Sequence, residues 1–385
     1  MIEFPAGLKS KLPNTGTSIF AIMSQMAVEH NAINLSQGFP DFDVSAELIG
    51  LINHYMKKGY NQYAPMPGVP LLRERISEKV FHSYGIQYDP DKEINITAGA
   101  TQGIYTIIAA MIREEDEVII FEPAYDSYAP AVKLCGGVVK YAHLHPPKYH
   151  IDWSEVASLV THRTRLIIIN SPHNPTGSIL RKEDLATLER LTRKSDICVL
   201  SDEVYEHLIF DGEPHESVCK YPGLAERSFI TASFGKTFHA TGWKMGYVLA
   251  PEALMAEYRK AHQFVVFACN TPVQHAIADY LEDPGNYNSL SSFYQQKRDY
   301  FAHAISNSRF EIVPCHGTYF QLLDYQRISD EKEMDFASRL IKEYGIATIP
   351  VSPFYHNGSE NKVVRVCFAK KEETLDQAAE ILCKI

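Results

Sequence analysis

Residues 233–244 read Ser-Phe-Gly-Lys-Thr-Phe-His-Ala-Thr-Gly-Trp-Lys and begin within a β-rich apolar run over residues 228–234. They set Lys236 at the mouth of a strand, beside Gly235, with a second lysine at Lys244. A lysine so placed can be desolvated and lose its proton, and only the neutral amine attacks a carbonyl. The chemistry open to Lys236 is Schiff-base formation with an aldehyde. The same letters also suit a solvated surface loop, because most lysines are exposed. Two rival catalytic readings lack their other parts. Gly235-Lys236-Thr237 ends like a P-loop, but Ile230 stands where that motif needs glycine. Ser233-Phe234-Gly235-Lys236 fits the Ser-x-x-Lys of penicillin-recognising acyl enzymes, yet neither Ser-Asp-Asn nor Lys-Thr-Gly occurs.

Four further segments place polar groups at strand ends. Thr97-Ala98-Gly99-Ala100-Thr101-Gln102 leads from a β run into a helical pattern. Free N–H groups and the helix dipole there suit a phosphate, although Gly and Thr also simply cap helices. Asn170-Ser171-Pro172-His173-Asn174-Pro175-Thr176-Gly177 is a turn by composition. Its functional reading is that Asn174 donates a hydrogen bond into a site. In Ser201-Asp202-Glu203-Val204-Tyr205, Asp202 follows an apolar run, and a helix is expected after it, which would make Asp202 an N-cap. As chemistry, a carboxylate there could hold a pyridine nitrogen protonated and so turn the ring into an electron sink. Glu122-Pro123-Ala124-Tyr125-Asp126-Ser127-Tyr128 offers Tyr125 as a stacking platform or a packed aromatic.

The elements that must position these groups follow from periodicity. β-branched runs at residues 94–97, 117–121, 137–141, 166–170, 197–201, 229–233 and 245–249 read as strands, several apolar throughout. Helical patterns lie between them, for example at 101–112 and 181–194. This alternation predicts an α/β fold with a mostly parallel sheet sandwiched by helices, its chemistry beyond the carboxyl ends of the strands. After Asp283-Pro284-Gly285 the rhythm changes to helices at 289–306 and 334–344 and strands at 310–314, 317–322, 347–350 and 362–368. That is a smaller α+β unit. The expected division is an N-terminal arm and part of the small domain at 1–43, a large domain at 44–283 and a small C-terminal domain at 284–385.

A chain of 385 residues suits two domains, and 45% hydrophobic with 22% charged residues describes an ordinary globular composition. A net charge of −10 argues against a nucleic-acid surface. The seven cysteines are scattered without a Cys-x-x-Cys, so neither a disulfide framework nor a zinc knuckle is indicated. His143 and His145 alternate as on a strand, and no carboxylate cluster makes them a metal site. Glu3 and Pro5 break any secretory core, and no apolar run approaches the roughly 20 residues of a membrane span. A reducing cytoplasm is the expected compartment.

Phosphate cradle, ring stacker, ring-nitrogen partner and imine lysine occur in that chain order. The whole chain resembles the fold-type I aminotransferases that use pyridoxal 5′-phosphate. Ser-Pro-His-Asn-Pro-Thr-Gly, Ser-Asp-Glu-Val-Tyr and Ser-Phe-Gly-Lys-Thr-Phe carry the resemblance. Residues 34–42 (Asn-Leu-Ser-Gln-Gly-Phe-Pro-Asp-Phe) and 61–65 (Asn-Gln-Tyr-Ala-Pro) narrow it to the kynurenine aminotransferase / glutamine transaminase K subgroup and the bacterial methionine aminotransferases. The resemblance implies that Lys236 forms the Schiff base, Asp202 pairs with the pyridinium, Asn174 and Tyr205 bond the ring 3′-oxygen, and Tyr125 stacks on the ring. Gly99, Ala100 and Thr101, with Ser233 and Lys244, would hold the phosphate. Tyr63 would reach the phosphate of a neighbouring subunit, giving a homodimer with shared sites. Arg365, flanked by valines in a strand, would take the substrate α-carboxylate in a bidentate fork, with a backbone contact from Gly38; the plain reading of Arg365 is a rim arginine. Cis bonds before Pro123 and Pro175 are also implied.

Members acting on aspartate use a second arginine, and no residue here matches it. The arm offers Ile19 and Phe20 instead, with Tyr63 nearby, so the substrate expectation is methionine, aromatic amino acids and glutamine, with a 2-oxo acid acceptor and ping-pong kinetics. A pocket of this kind discriminates poorly, by about 1–3 kcal/mol per methylene. The alternatives are β-elimination from cysteine conjugates on the same site, and an inactive effector-binding relative.

Overall fold

The computed structural model describes residues 9–385. Glu3 and Pro5, which carry the argument against a secretory signal, lie outside the described residues. The strands in chain order are β1 (Ile33–Asn34), β2 (Ile94–Thr97), β3 (Glu117–Glu122), β4 (Val138–His145), β5 (His150–Ile151), β6 (Thr164–Asn170), β7 (Cys198–Asp202), β8 (Ser228–Ser233) and β9 (Gly246–Leu249). In the C-terminal part follow β10 (Glu311–Ile312), β11 (Phe320–Asp324), β12 (Ile346–Ala347), β13 (Ile349–Pro350) and β14 (Val363–Cys367).

Eight of them form one sheet in the order β2-β9-β8-β7-β6-β3-β4-β5. The run β8-β7-β6-β3-β4 is parallel throughout, while β9 is antiparallel to both neighbours and β5 closes an edge antiparallel to β4. The mostly parallel α/β sandwich expected from the sequence is the fold observed.

Side chains alternate across a strand, and here the alternation sorts them into two cores. Ile119, Ile167, Ile169, Val199, Ile230 and Leu249 enter one, with Leu185 and Leu188 of the helix Lys182–Thr192. Val118, Ile120, Leu166, Ile168, Leu200, Phe229 and Val248 enter the other, with Ile104, Ile107 and Ile108 of the helix Ala100–Met111. Each fully buried aliphatic side chain is worth roughly 1.5–3 kcal/mol of burial. A one-residue slip would exchange the two faces, so the register is strongly held.

That register aligns the site loops. Thr97 and Ser233 both pair with Gly246, and Asn170 pairs with Asp202. The loops after β2, β6, β7 and β8 therefore leave the sheet side by side. In the C-terminal part, β10-β11-β14-β13 form an antiparallel sheet, and Ile33 of β1 pairs with Ile346 of β12. Peptide bonds are cis before Pro123 and Pro175, as the resemblance implies, and also before Pro147 and Pro172.

One local expectation is corrected. No helix follows Asp202; residues 204–207 form a turn. The carboxylates of Glu203 and Glu206 are engaged in buried tertiary bonds to His215 and Lys79, which hold the segment out of a helical path. Among the described residues, no helix is long and apolar enough to cross a membrane.

Candidate active site

Beyond the carboxyl ends of the strands lies a cavity of about 230 Å³. Gly38, Gly99, Ala100, Thr101, Tyr125, Asn174, Asp202, Tyr205, Ser233, Lys236, Lys244, Arg365 and Phe20 all line it, brought from eight separate segments. Tyr63 and Ile19 do not. In the single chain Tyr63 is 81% exposed, its ring edge-on to Phe267 at 5.2 Å.

Lys236 sits in a single helical turn, Phe234–Thr237, directly after β8. Its Nζ donates to the Tyr319 hydroxyl at 2.7 Å and to the Gly38 carbonyl at 3.1 Å. Burial lowers the amine's pKa to about 8, helped by Arg365 and Lys244 and opposed by Cys367 and Asp202. The neutral amine is thus far more populated at neutral pH than in an ordinary lysine, which favours Schiff-base chemistry.

Asp202, 4% exposed, accepts from the Tyr128 hydroxyl at 2.6 Å and more distantly from Val204 N–H and the Thr231 hydroxyl. All three donors are neutral. Burial outweighs them and raises the carboxyl pKa to about 6. The Asp202 carbonyl accepts from Asn170 Nδ2 at 2.8 Å, and Asn170 Oδ1 accepts the Asn174 N–H at 2.9 Å, which ties the two loops together.

Arg365, 1% exposed, is no rim arginine. Its Nη1 donates to Asn174 Oδ1 at 2.8 Å, its Nη2 to the Ser36 carbonyl at 3.0 Å, and its Nε is buried without a partner. The guanidinium lies over the Phe320 ring, 3.8 Å from its centroid, and near Phe20 at 5.2 Å. Burial depresses its pKa to about 10, so it stays charged at neutral pH with donors in excess of acceptors.

The residues present fit pyridoxal phosphate. At one end the helix Ala100–Met111 starts without a side-chain cap, on Gly99 with φ +79°. A Cβ built at Gly99 would come within 3.3 Å of Lys244 Cε, and one at Gly246 within 3.2 Å of Ala100 N. These glycines keep open a cradle of amides facing a lysine, suited to a dianion. At the other end Asp202 is a buried acid without a cationic hydrogen-bond partner, the complement of a protonated ring nitrogen. Lys236 supplies the amine between them.

Sequence reasoning missed three residues. Tyr128 serves Asp202, Tyr319 serves Lys236, and Phe320 carries Arg365; none has a local motif. His173 is absent from this cavity. It is buried, bonds the Thr176 hydroxyl at 2.7 Å, and lines a second cavity of about 470 Å³ beyond Asn170. Burial lowers its pKa to about 3, keeping it neutral. His143 and His145 both approach Glu155, at 2.8 and 3.6 Å, and no metal-ligating cluster occurs among the described residues.

Fold and site together define an aminotransferase: residues 30–382 match the family model described as Aminotransferase class I and II, and the chain belongs to that family, whose members depend on pyridoxal 5′-phosphate. Among individual proteins, it is 50% identical to the methionine aminotransferase of Escherichia coli over 99% of both chains. A solved structure from E. coli, described as having methionine aminotransferase function, superposes with a TM-score of 0.97 at 49% identity, over 99% of this chain and 100% of that one. Human kynurenine–oxoglutarate transaminase 1 is 31% identical over 94% of each chain. The N-succinyldiaminopimelate aminotransferase of Mycobacterium tuberculosis matches with a TM-score of 0.95 at 34% identity, over 98% of this chain and 100% of that one.

Proposed function

We propose that this chain is an aminotransferase of methionine and aromatic amino acids, with glutamine as a further substrate, that works with a 2-oxo acid acceptor by ping-pong kinetics. The observation that carries the reading is one cavity joining a lysine amine held near neutrality, a buried acid and a buried arginine fork. Pyridoxal phosphate, when bound, supplies an aldehyde that captures amines and a ring that accepts electrons from a substrate α-carbon.

The chain's own residues do the rest. Gly99, Ala100, Thr101, Ser233 and Lys244 hold the phosphate. Tyr125 would cover the ring, while Asn174 and Tyr205 would bond its oxygen. Asp202 keeps its charge against the ring nitrogen. Arg365 fixes the α-carboxylate, with Gly38 beside it, and so orients the α-proton toward Lys236. The Lys236 amine takes that proton from the α-carbon as base, and the resulting ammonium is the acid that gives it up again.

Substrate preference is supported by the walls. Phe20, Ile104, Tyr125, Val204 and Phe320 line the cavity, and Arg365 is the only arginine lining it among the described residues. An acidic side chain would lack a partner, whereas a thioether or aromatic ring would not. The 50% identity to a methionine aminotransferase supports the same choice. The active unit is a homodimer with shared sites: Tyr63 lies exposed against Phe267, and Phe264 (87% exposed) and Val265, near Phe267 in the chain, are exposed apolar side chains suited to cover by a second copy. The division into 1–43, 44–283 and 284–385 belongs to this reading, supported by the pairing of β1 with β12. Seven free cysteines suit a cytoplasmic setting.

The test is the visible spectrum of the purified protein before and after L-methionine, with no 2-oxo acid present. The band of the aldehyde cofactor should give way to that of its amine form, and Lys236→Ala should show no such conversion. A band that ignores methionine but yields pyruvate from a cysteine conjugate would replace transamination by elimination. Absence of any band after incubation with pyridoxal phosphate would end the assignment of Lys236.

A further inference from the structure

Tyr319 is fully buried behind the cavity lining, and its hydroxyl closes a triangle with the Lys236 amine and one backbone carbonyl. Lys236 Nζ donates to Tyr319 Oη at 2.7 Å and to the Gly38 carbonyl at 3.1 Å, while Tyr319 Oη donates to the same carbonyl at 2.6 Å. The phenol proton is thus committed to Gly38, which leaves the phenol lone pairs for the amine. A neutral amine has two N–H bonds and one lone pair. Both acceptors lie on the same side of the nitrogen, so the N–H bonds turn toward them and the lone pair turns away from the two oxygens.

The tyrosine is held firmly where this requires. Its ring meets Tyr205 edge-on at 5.2 Å, packs tilted against Tyr294 at 5.8 Å, and is 0% exposed. Thr318, just before it, has φ +69°, a conformation that a β-branched residue adopts only when its surroundings impose it. Gly317 is pressed between Pro172 and the Leu208 carbonyl, where a Cβ would come within 2.6 and 2.8 Å. The turn that delivers Tyr319 is therefore wedged against the loops carrying Asn174 and Tyr205. Burial also raises the Tyr319 pKa well above its ordinary value, so the phenol is neutral at working pH.

We propose that Tyr319 is the receptor for the Lys236 amine whenever that amine is not covalently engaged, orienting its lone pair and then stabilising the ammonium after it has taken a proton. The proposal rests on the aminotransferase reading above. Both acceptors favour the ammonium, because each gains a charge-assisted hydrogen bond when the amine is protonated. The other charged or titratable groups facing the amine are Arg365 and Cys367 from β14, Asp202 from β7, Tyr205 and Lys244.

The test is Tyr319→Phe, which keeps the ring and removes only the hydroxyl. In enzyme loaded with pyridoxamine 5′-phosphate, Lys236 has no covalent partner. A pulse of acetic anhydride across pH, read by mass spectrometry of the Lys236 peptide, then gives the protonation midpoint of the amine. Loss of the acceptor should move that midpoint down by about one unit. It should lower kcat roughly tenfold to a hundredfold, the span of one hydrogen bond to a charged group, with KM for methionine nearly unchanged. A substitution that merely loosened the wall would admit water and move the midpoint up, toward that of an ordinary lysine. An upward or absent shift, or an unchanged kcat, overturns the proposal. Failure of the functional reading shows separately, as wild-type protein that forms no cofactor band.

Discussion

Desolvation acts on Asp202 and Lys236 with opposite results, and both serve the site. The carboxyl rises to about 6 and the amine falls to about 8, because burial penalises whichever form is charged. Asp202 is therefore strained at neutral pH until a cation meets it. Its folded-state pKa lies above the unfolded value of about 3.9. Its stability contribution is complete below that value and is lost as pH rises through about 6. Asp202→Asn removes the charge and keeps an acceptor for Tyr128. The cofactor-free protein should gain about 2–3 kcal/mol at pH 8, and the gain should vanish below about pH 4. Urea midpoints at the two pH values measure this; equal midpoints for variant and wild type at pH 8 would disprove it. Turnover should fall at the same time, because an amide cannot hold a ring nitrogen protonated. Lys236, Asp202, Asn174 and Arg365 could be nominated from sequence because each stands in a distinctive local run. Tyr128 and Tyr319 could not, because their partners lie 74 and 83 residues away.

At the level of elements, the turn after β7 is fastened by a buried ion pair. Lys79, in the helix Pro70–Tyr84, donates to Glu206 at 2.7 Å with both side chains under 7% exposed, and the hydroxyls of Tyr84 and Tyr247 donate to the same carboxylate. The pair and its hydroxyls hold Glu206 well below the usual carboxylate range despite its burial. Its contribution is present above the unfolded value of about 4.3 and is lost as pH falls through the folded value. Removing one partner leaves an uncompensated charge, so Lys79→Met should cost about 3–5 kcal/mol. Lys79→Met combined with Glu206→Leu should recover much of that. Chemical denaturation of the three proteins decides, and a single variant within 1 kcal/mol of wild type would refute the clamp. Strand positions were legible because apolar runs covered on both faces need β geometry. The turn after Asp202 was misread as a helix because its determinants, Lys79 and His215, are tertiary.

For the whole molecule, the exposed rings of Tyr63, Phe264 and Phe267 are apolar side chains that a single chain leaves uncovered. The proposed homodimer with shared sites predicts complementation. Lys236→Ala and Tyr63→Ala should each be strongly impaired alone. When the two are mixed under subunit exchange, hybrid dimers carry one site with both residues intact. About a quarter of wild-type activity should return, from half the dimers being hybrids with one good site each. No recovery despite demonstrated exchange would place Tyr63 in its own subunit's site.

The chain by itself determined the chemistry available and the kind of scaffold. A lysine at a strand mouth, an acid closing an apolar run and an arginine between valines are local patterns, and alternation of β and helical periods follows from local burial. Tertiary structure alone decided how these groups work together. Gly246 opposite both Thr97 and Ser233, Asn170 opposite Asp202, and Tyr319 against Lys236 are matters of register and packing between distant segments. The shifts that poise Lys236 and Asp202 arise from enclosure by those segments, because desolvation depends on the density of surrounding protein and not on neighbours in sequence.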